Sequence, residues 1–296
     1  MKILHLDSGR EMRGGQWQVL RLHRALVEAG HESLLLAREA GPLLAAASER
    51  SLPCGVLRPL RLAIQSRGFD LVHAHDAHSH TWGALFAGVP LVVSRRVAFP
   101  VRTSAASRWK YRKASRFLAV SRYVAGLLSP AGIDPGRIDV VYDGVEVPLN
   151  PASGDAMLTP FTVDPAKGMA LAEQAAALAG VPLTCSRDLE RDLPHARAMV
   201  YLSRSEGLGS GILLAMAQGV AVAASNTGGI PELIEDGVTG LLLQNELDSV
   251  ARAMRQLTPA VCAALGLAAR AFVSRRFTVE HMVRATLDSY AKALAQ

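Results

Sequence analysis

Residues 203–219 read Ser-Arg-Ser-Glu-Gly-Leu-Gly-Ser-Gly-Ile-Leu-Leu-Ala-Met-Ala-Gln-Gly, and this stretch is the clearest indication of the fold class. An apolar run precedes it, so the pattern predicts a strand, a glycine-rich turn and then a helix. Gly207, Gly209 and Gly211 let the backbone approach a ligand closely, and the free N–H groups at the helix start suit hydroxyls or phosphate. Glu206, at the strand exit, is placed to accept hydrogen bonds from hydroxyl groups. The same glycines would also suit an ordinary tight turn, so the stretch by itself predicts structure and leaves function open.

The next segment, residues 221–242, repeats this order of elements. It predicts a strand, a turn at Gly228–Gly229, and a helix with Pro231 in its first turn, where proline is well tolerated. Two glycine turns in tandem, each at the exit of a strand, fit the phosphates of a nucleotide diphosphate.

Short apolar runs alternate with helical patterns along the rest of the chain, which predicts parallel sheets covered by helices on both faces. A Pro/Gly/Ser-rich stretch at residues 148–154 is typical of an interdomain linker. The expected architecture is α/β, with two doubly wound domains facing each other across a cleft. Their bounds are 1–147 and 148–280, and a last helix at 281–296 could cross back to the first domain. The predicted strands are 2–6, 32–37, 69–73, 89–93, 117–120, 138–142, 198–202, 221–224 and 240–243, and the predicted helices include 14–29, 168–179, 212–218 and 279–294.

The composition is that of a globular protein with a large core. Half of the 296 residues are apolar, 20% are charged, and the mean hydropathy is +0.19. These values exclude a disordered or fibrous chain. No apolar run approaches the ~20 residues that a membrane span needs, and residues 3–6 are too short for a signal-peptide core. Three widely separated cysteines favour a reducing compartment and argue against a zinc ribbon, so we expect a cytoplasmic protein.

The positive charge of the chain is concentrated in its first half. The net charge is +6 overall, +8 for residues 1–148 and −2 for residues 149–296. Between Asp76 and Asp134 there is no acidic residue, whereas nine basic residues occur there. Such a stretch favours an anionic partner, that is, phosphates or a membrane surface, although a solvated helical face would have the same composition. The nine are Arg95, Arg96, Arg102, Arg108, Lys110, Arg112, Lys113, Arg116 and Arg122.

Four histidines lie close together, at positions 73, 75, 78 and 80. They suggest a metal hydrolase as an alternative function. The sharper His-x-His-x-Asp-His motif would need an aspartate at position 77, where this chain has alanine. No second set of His, Asp or Glu at comparable spacing follows. We therefore predict no bound metal, and we expect His75 or Asp76 to line the cleft.

Taken together, these segments resemble the retaining GT-B glycosyltransferases of glycosyltransferase family 4. That family shows a Glu-Gly-Phe-Gly loop with a second Glu eight positions later, then a Gly-Gly-x-Pro-Glu turn and a Gly-x-x-Gly-Leu-Leu segment. The resemblance spans most of the chain in the right order. The matching stretches are Gly14–Gly15, 29–32, 119–122, 140–145, Glu206–Gly219, Gly228–Glu232 and Gly237–Leu242.

The resemblance implies two Rossmann-like domains, the second of which binds a nucleotide-diphosphate sugar while the first faces the acceptor. It implies transfer with retention on the front face of the sugar, where the leaving phosphate takes the acceptor proton. No metal or other cofactor is implied, because cations and helix N-termini stabilise the leaving diphosphate. The implied catalytic residues are Glu206, Lys167 and Arg96. The implied donor-binding residues are Gly14, Gly15, Thr162, Lys167, Glu206, Gly207, Leu208, Gly209, Leu214, Gly228 and Gly229, and the acceptor-side residues are His75, Asp76, Arg95 and Arg96.

Three positions depart from the family pattern. The second Glu, which holds the ribose hydroxyls in the family, is replaced by Leu214. The Arg of the Arg–Lys pair on the diphosphate is replaced by Thr162, and Arg96 stands where the family often has a His. An alternative function is therefore a catalytically weakened sugar-nucleotide-binding or partner subunit of the same fold.

The acid-free stretch lies in the domain where this architecture binds acceptors. We therefore expect a phosphorylated or lipid-linked acceptor, with peripheral contact to an anionic membrane at its inner face. No nucleic acid is expected as a partner. The sequence names neither the sugar, the nucleotide base nor the acceptor.

Overall fold

A computed structural model describes residues 1–102 and 104–295. The chain forms two compact units: Met1–Gly144 together with Val279–Gln296, and Val145–Thr278. The sequence prediction puts the boundary after residue 147 and the return at residue 281. Of the predicted last segment, residue 296 lies outside the described residues.

The strands are short and alternate with helices. In chain order the strands are β1 (Lys2–Asp7), β2 (Glu32–Ala37), β3 (Cys54–Val56), β4 (Leu71–Ala74), β5 (Leu91–Arg95), β6 (Arg116–Ala119), β7 (Ile138–Val140), β8 (Ala156–Pro160), β9 (Thr184–Ser186), β10 (Ala196–Tyr201), β11 (Ala221–Ser225) and β12 (Leu241–Leu243). The helices are α1 (Gly14–Glu28), α2 (Pro42–Glu49), α3 (Pro59–Gln65), α4 (Ala77–Phe86), α5 (Ala105–Lys113), α6 (Arg122–Gly126), α7 (Met169–Ala179), α8 (Leu189–Asp192), α9 (Ser210–Ala217), α10 (Leu247–Gln256), α11 (Pro259–Arg276) and α12 (Val279–Leu294).

The first unit is built on a seven-stranded parallel sheet in the order β3-β2-β1-β4-β5-β6-β7. Ile3, Leu71 and Val92 from neighbouring strands are fully buried in its core. Helix α12 packs on this unit, and its Tyr290 is fully buried. Asp139 on β7 accepts hydrogen bonds from Ser289 and Lys292, which fixes α12 to the sheet.

The second unit is built on a five-stranded parallel sheet in the order β12-β11-β10-β8-β9. Its core is rich in alanine: Ala172 and Ala175 on α7 and Ala198 and Ala221 on the sheet are fully buried. Small side chains let α7 pack closely on the strands. Because all five strands are parallel, the loops after them leave from the same edge of the sheet. The predicted α/β class with two parallel sheets is confirmed.

The structure corrects one element at a predicted site. Within residues 230–240, all of which the structure describes, no α-helix follows the Gly228–Gly229 turn; the chain forms only a 3₁₀-helix of three residues, Ile230–Glu232. One turn of 3₁₀-helix aligns too few peptides to make the positive end of a helix dipole. The prediction of a second helix N-terminus for phosphate is therefore wrong at this position. Strands β3, β8 and β9 are absent from the sequence prediction.

No single helix among residues 1–102 and 104–295 is long and apolar enough to cross a membrane. Helices α10 and α11 reach the required length and composition only as a pair, with a 92° bend between them. The three cysteines, Cys54, Cys185 and Cys262, carry free thiols.

Candidate functional site

Three polar side chains converge at the C-terminal edge of the second sheet. The Nζ of Lys167 lies 2.7 Å from Oε2 of Glu206, and the Tyr201 hydroxyl donates to the same oxygen at 3.0 Å. The other carboxylate oxygen accepts from the N–H of Gly207 at 3.2 Å. Burial, and then the Glu206 carboxylate, raises the pKa of Tyr201 well above its usual range, so the phenol stays a donor. The cluster holds one carboxylate and one ammonium group with fixed geometry.

The two glycine turns of the second unit are in direct backbone contact. Gly229 donates its N–H to the Glu206 carbonyl at 3.0 Å. Gly228 has φ +57°, and a Cβ there would lie 2.0 Å from the Glu206 carbonyl oxygen. Only glycine fits this position, because both the backbone conformation and the space exclude a side chain. The turn therefore supports the Glu206 loop, and the N–H of Gly229 is already used inside the protein.

The loop between β8 and α7 carries Lys167. Gly168 ends its 3₁₀-helix at φ +64°, where a Cβ would lie 2.6 Å from the Cβ of Leu202. Arg204 donates its N–H to the carbonyl of Ala166 at 2.8 Å, which ties this loop to the end of β10. A pocket of about 570 Å³ opens beside it, with Thr162 and Arg204 among its lining residues. Arg204 is a cation that the sequence analysis did not assign to the site.

The remaining predicted donor residues of the second unit lie on α9 and the loop before it. Leu208 is only 2% exposed, so its backbone and not its side chain is available to a ligand. Gly209 is the N-cap of α9 at φ +106°. Leu214 lies within α9 and is half-buried, so a longer polar side chain at this position would reach the surface.

In the first unit, Arg96 is held by two neighbours. Its Nε lies 3.2 Å from Oδ1 of Asp143, and its Nη1 lies 3.4 Å from Nδ1 of His75. Arginine has no acceptor, so Nδ1 of His75 accepts and the His75 proton lies on Nε2. The protonated Nε2 of His75 lies 2.9 Å from Nδ1 of His5, which therefore accepts. The other ring nitrogen of His5, Nε2, is buried and has no hydrogen-bond partner in the part of the chain that the structure describes. The hydrogen bonds thus run in one direction, from Arg96 through His75 to His5.

A pocket of about 300 Å³ lies beside Arg96 at the C-terminal ends of β4 and β5. Arg95, Arg96, His75, Asp76 and Gly15 all line it, so the structure brings all four predicted acceptor-side residues together with the start of α1. A Cβ on Gly15 would be 3.7 Å from Cδ of Arg96, and Gly14 is the first residue of the helix.

Asp76 is occupied by protein hydrogen bonds. Its carboxylate accepts from the N–H and the hydroxyl of Ser8 and from the N–H groups of His78 and Ser79, and it caps α4. Burial raises the pKa of Asp76, but these hydrogen bonds outweigh burial and hold it below the usual value. The carboxylate of Asp76 thus has a structural role, and its place on the acceptor side stays a prediction.

The four histidines of the predicted cluster do not share one site. His73 pairs with the hydroxyls of Tyr290 and Ser94, His80 lies 3.3 Å from the carbonyl of Lys110, and His78 is exposed. Within the described residues, the group that could hold a metal is His5, His73 and His75, whose candidate ligand atoms lie within 4.8 Å of one another. Both nitrogens of His73 are already hydrogen-bonded, so a cation would have to displace a hydroxyl.

Sequence reasoning missed the partners that orient the predicted residues. Tyr201 could have been found, because a tyrosine at the end of a strand and next to a glycine turn needs a partner for its hydroxyl. Asp143 gave a weaker signal, since a carboxylate 47 positions from Arg96 shows no periodic relation to it. Arg204 was overlooked because it lies within residues 203–219, where the prediction rested on the glycines and Glu206.

Two family models match the chain. Residues 12–148 match the model described as Glycosyltransferase Family 4, and residues 159–259 match the model described as Glycosyl transferases group 1. Their order along the chain is that of the two units.

Curated relatives and solved structures show the same likeness. Alpha-maltose-1-phosphate synthase of Mycobacterium tuberculosis is 26% identical over 331 residues, which covers 79% of this chain and 84% of the relative. D-inositol 3-phosphate glycosyltransferase of Mycobacterium avium is 36% identical over 104 residues, which covers 34% of this chain and 24% of the relative. HepE of Anabaena, solved in complex with UDP and glucose, has a TM-score of 0.85 at 18% identity and covers 98% of this chain and 99% of its own. Sucrose-phosphate synthase of Thermosynechococcus elongatus has a TM-score of 0.75 at 17% identity, with both chains fully covered. At these identities the structural matches show the GT-B fold.

Proposed function

This chain belongs to glycosyltransferase family 4, a retaining family that uses nucleotide sugars, and we propose that it transfers a hexose whose donor is held by the second unit. The observation that carries the proposal is the junction of Lys167, Glu206 and Tyr201 at a glycine loop that opens α9. An ammonium group and free helix N–H groups suit a diphosphate, and a carboxylate suits sugar hydroxyls. UDP-glucose is the first donor to test, because HepE was solved with UDP and glucose.

The proposed chemistry needs charge stabilisation more than a strong base. The bond between the sugar C1 and the diphosphate oxygen breaks, the bond between C1 and the acceptor oxygen forms on the same face, and the acceptor proton passes to the leaving phosphate. Lys167 offsets the charge that builds on the diphosphate. Glu206 orients the sugar, and Arg96 is the cation that we assign to the acceptor side.

The proposed acceptor is phosphorylated or lipid-linked. The acid-free stretch supports this, and two relatives, one named for a maltose phosphate and one for an inositol phosphate, are in line with it. The test mixes the protein with UDP-glucose and either a sugar phosphate or the unphosphorylated sugar, and measures UDP release. Faster release with the phosphorylated form alone supports the acceptor class. Equal release with both would contradict it.

Peripheral contact with an anionic membrane completes the proposal. No residue of α5, a helix that the structure describes in full, is buried, and its last turn carries Lys110, Arg112 and Lys113. On α3, Leu60 is 82% exposed and Ile64 is 77% exposed, one helical turn apart. Basic residues near an anionic surface contribute about 1 kcal/mol each, and salt screens them. Cosedimentation with anionic but not neutral vesicles at low salt is expected, and no cosedimentation with either would refute membrane contact.

A second candidate function is a partner subunit with weakened catalysis. It is favoured by the ion pair between Lys167 and Glu206, which neutralises the cation, and by Leu214 in place of a carboxylate. Calorimetry with UDP separates the two functions when it is combined with the release assay. Tight UDP binding without turnover of UDP-glucose or other nucleotide hexoses would favour the partner subunit.

A further inference from the structure

We propose that the first unit contains a phosphate-binding subsite formed by Arg95 and Arg96, which takes the phosphoryl group of the acceptor. The inference rests on the proposed function and adds the place of binding. It is carried by the pocket of about 300 Å³ that both guanidinium groups line. The pocket lies wholly within the first unit.

Arg95 is a partly buried cation that has no carboxylate partner in the described part of the chain. Its Nη2 donates to the Phe99 carbonyl at 2.6 Å, and its guanidinium lies 5.3 Å from the centre of the Phe99 ring. Its Nε is buried and has no hydrogen-bond partner among residues 1–102 and 104–295. Burial lowers the pKa of Arg95, which is the mark of a charge that lacks compensation.

A second cation increases this imbalance. Burial and the neighbouring charge of Arg95 lower the pKa of Lys110, whose Nζ donates only to the Ala77 carbonyl and the Thr81 hydroxyl among the described residues. The carboxylate that lines the pocket is Asp76, which accepts hydrogen bonds from Ser8, His78 and Ser79 and also attracts Lys110. Two half-buried cations thus face one ionised carboxylate, and a bound phosphate would offset the remaining positive charge.

Arg96 supplies the geometry. Asp143 holds its Nε and His75 accepts from its Nη1, and the side chain is 17% exposed. Guanidinium has five N–H donors in a planar fork, so the remaining donors stay available to a phosphate in a fixed orientation. Because Asp143 compensates Arg96, the uncompensated charge that attracts the anion belongs to Arg95, which lines the pocket. His75 and Asp143 are thus positioning residues for Arg96.

Titration of the full chain with inorganic phosphate, in the presence of saturating UDP, tests the subsite. We expect wild type to bind phosphate, R95Q to bind it at least about tenfold more weakly, and R96Q to show a similar loss. The matched control is R61Q, which removes an exposed arginine on α3 outside the pocket and is expected to bind phosphate like wild type. Circular dichroism checks the fold of each variant. If R95Q does not fold, R95K, which keeps the charge, replaces it in the phosphate titration.

Unchanged phosphate binding in both R95Q and R96Q would overturn the subsite, as would displacement of phosphate by UDP. Failure of the proposed donor site looks different, because UDP then does not bind while phosphate does. Glucose 1-phosphate and vesicles that contain phosphatidic acid, used as second probes, distinguish a soluble phosphorylated acceptor from a lipid-linked one. If R95Q abolishes binding of one probe and not of the other, that probe identifies the source.

Discussion

In the second unit, residues of the candidate donor site are bonded to one another. Lys167 and Glu206 form a half-buried ion pair, and Tyr201 shares the same carboxylate oxygen. Under the proposed function, a diphosphate in this site would compete with Glu206 for the ammonium group. We expect the balance between these two partners to set the affinity for the nucleotide.

The first prediction concerns this pair. K167A removes the cation and leaves the Glu206 carboxylate, 16% exposed, to face the diphosphate. We expect UDP affinity to fall by about 1–3 kcal/mol, the range of a charge-assisted hydrogen bond. Calorimetry on K167A, E206Q and the double variant separates the direct contact from the effect through Glu206. UDP affinity equal to wild type in K167A would remove Lys167 from the site.

The second prediction concerns Leu214, where the family has a carboxylate on the ribose. L214E is expected to leave UDP affinity equal or to improve it, because Leu214 is half-buried on α9 and a carboxylate can reach solvent or ribose from there. The neutral isostere L214Q is the matched control for charge. A large loss of affinity in both variants, with the fold intact, would mean that Leu214 forms an apolar wall suited to a different donor.

At the scale of elements, loops and their glycines position the site. The Gly228–Gly229 turn holds the Glu206 loop through a backbone contact that a Cβ would break. We predict that G228A loses both stability and UDP affinity. Its control is G237A, since Gly237 has a similar φ of +73°, but a Cβ there would meet no atom of the described residues within 4 Å.

G237A should therefore cost only the strain of a left-handed residue, about 1–2 kcal/mol. Urea unfolding and UDP calorimetry on both variants measure the difference. Equal losses of stability in the two would contradict a role for close approach at Gly228.

Another prediction concerns the helix that returns to the first unit. Burial alone would raise the pKa of Asp139, but hydrogen bonds from Arg116, Lys292 and Ser289 lower it to about 2. D139A leaves Arg116, 6% exposed, without its carboxylate, and should lower the free energy of unfolding by about 3–5 kcal/mol. K292A removes an exposed partner and should cost less than about 1 kcal/mol. Similar unfolding midpoints for D139A and K292A would contradict the expectation that the loss of Asp139 costs more stability than the loss of Lys292.

The sequence predicts most elements where apolar residues run together, although β8 was missed while its Met157 and Leu158 are buried. Strands β1, β2 and β11 are apolar and buried, and all three were predicted. Strand β3 has three half-buried residues at a sheet edge, and β9 contains Thr, Cys and Ser, so neither has a hydrophobic pattern. At the site, motifs located Glu206 and Lys167 but not their contacts, because pairing between distant residues depends on the fold and leaves no periodic trace.

For the whole molecule, the distribution of histidine makes the two units respond differently to acid. Eight of the nine histidines lie in the first unit, and five of them are buried. Burial is the main cause that lowers the pKa of His23 to about 4 and of His80 to about 3. A lowered histidine pKa means that the stabilising neutral form is fully present above pH 6.5 and is lost as the pH falls through the folded value.

We therefore predict that the first unit loses stability between pH 7 and pH 5. His23 alone should cost about 2 kcal/mol at pH 5. Asp7 opposes this loss, because burial raises its pKa to about 6 and its protonation on acidification returns about 1 kcal/mol. All three tryptophans lie in the first unit, so urea unfolding followed by tryptophan fluorescence reports it alone.

The second unit, whose one histidine, His195, is exposed, is the internal control. Hydrogen exchange of its strands, corrected for the intrinsic pH dependence, should give the same protection at pH 7.5 and pH 5. A parallel loss of protection in both units would show that the buried histidines are not the cause.

The return of α12 to the first unit also has a consequence for synthesis on the ribosome. The 134 residues of the second unit, Val145–Thr278, are translated between the two parts of the first. At about 5–20 residues per second, the first sheet waits about 7–27 seconds for the helix that covers it. During that time the pocket for the fully buried Tyr290 is open to solvent, so the nascent first unit presents an apolar surface to chaperones. The second unit is continuous in the chain and can fold before the first is complete.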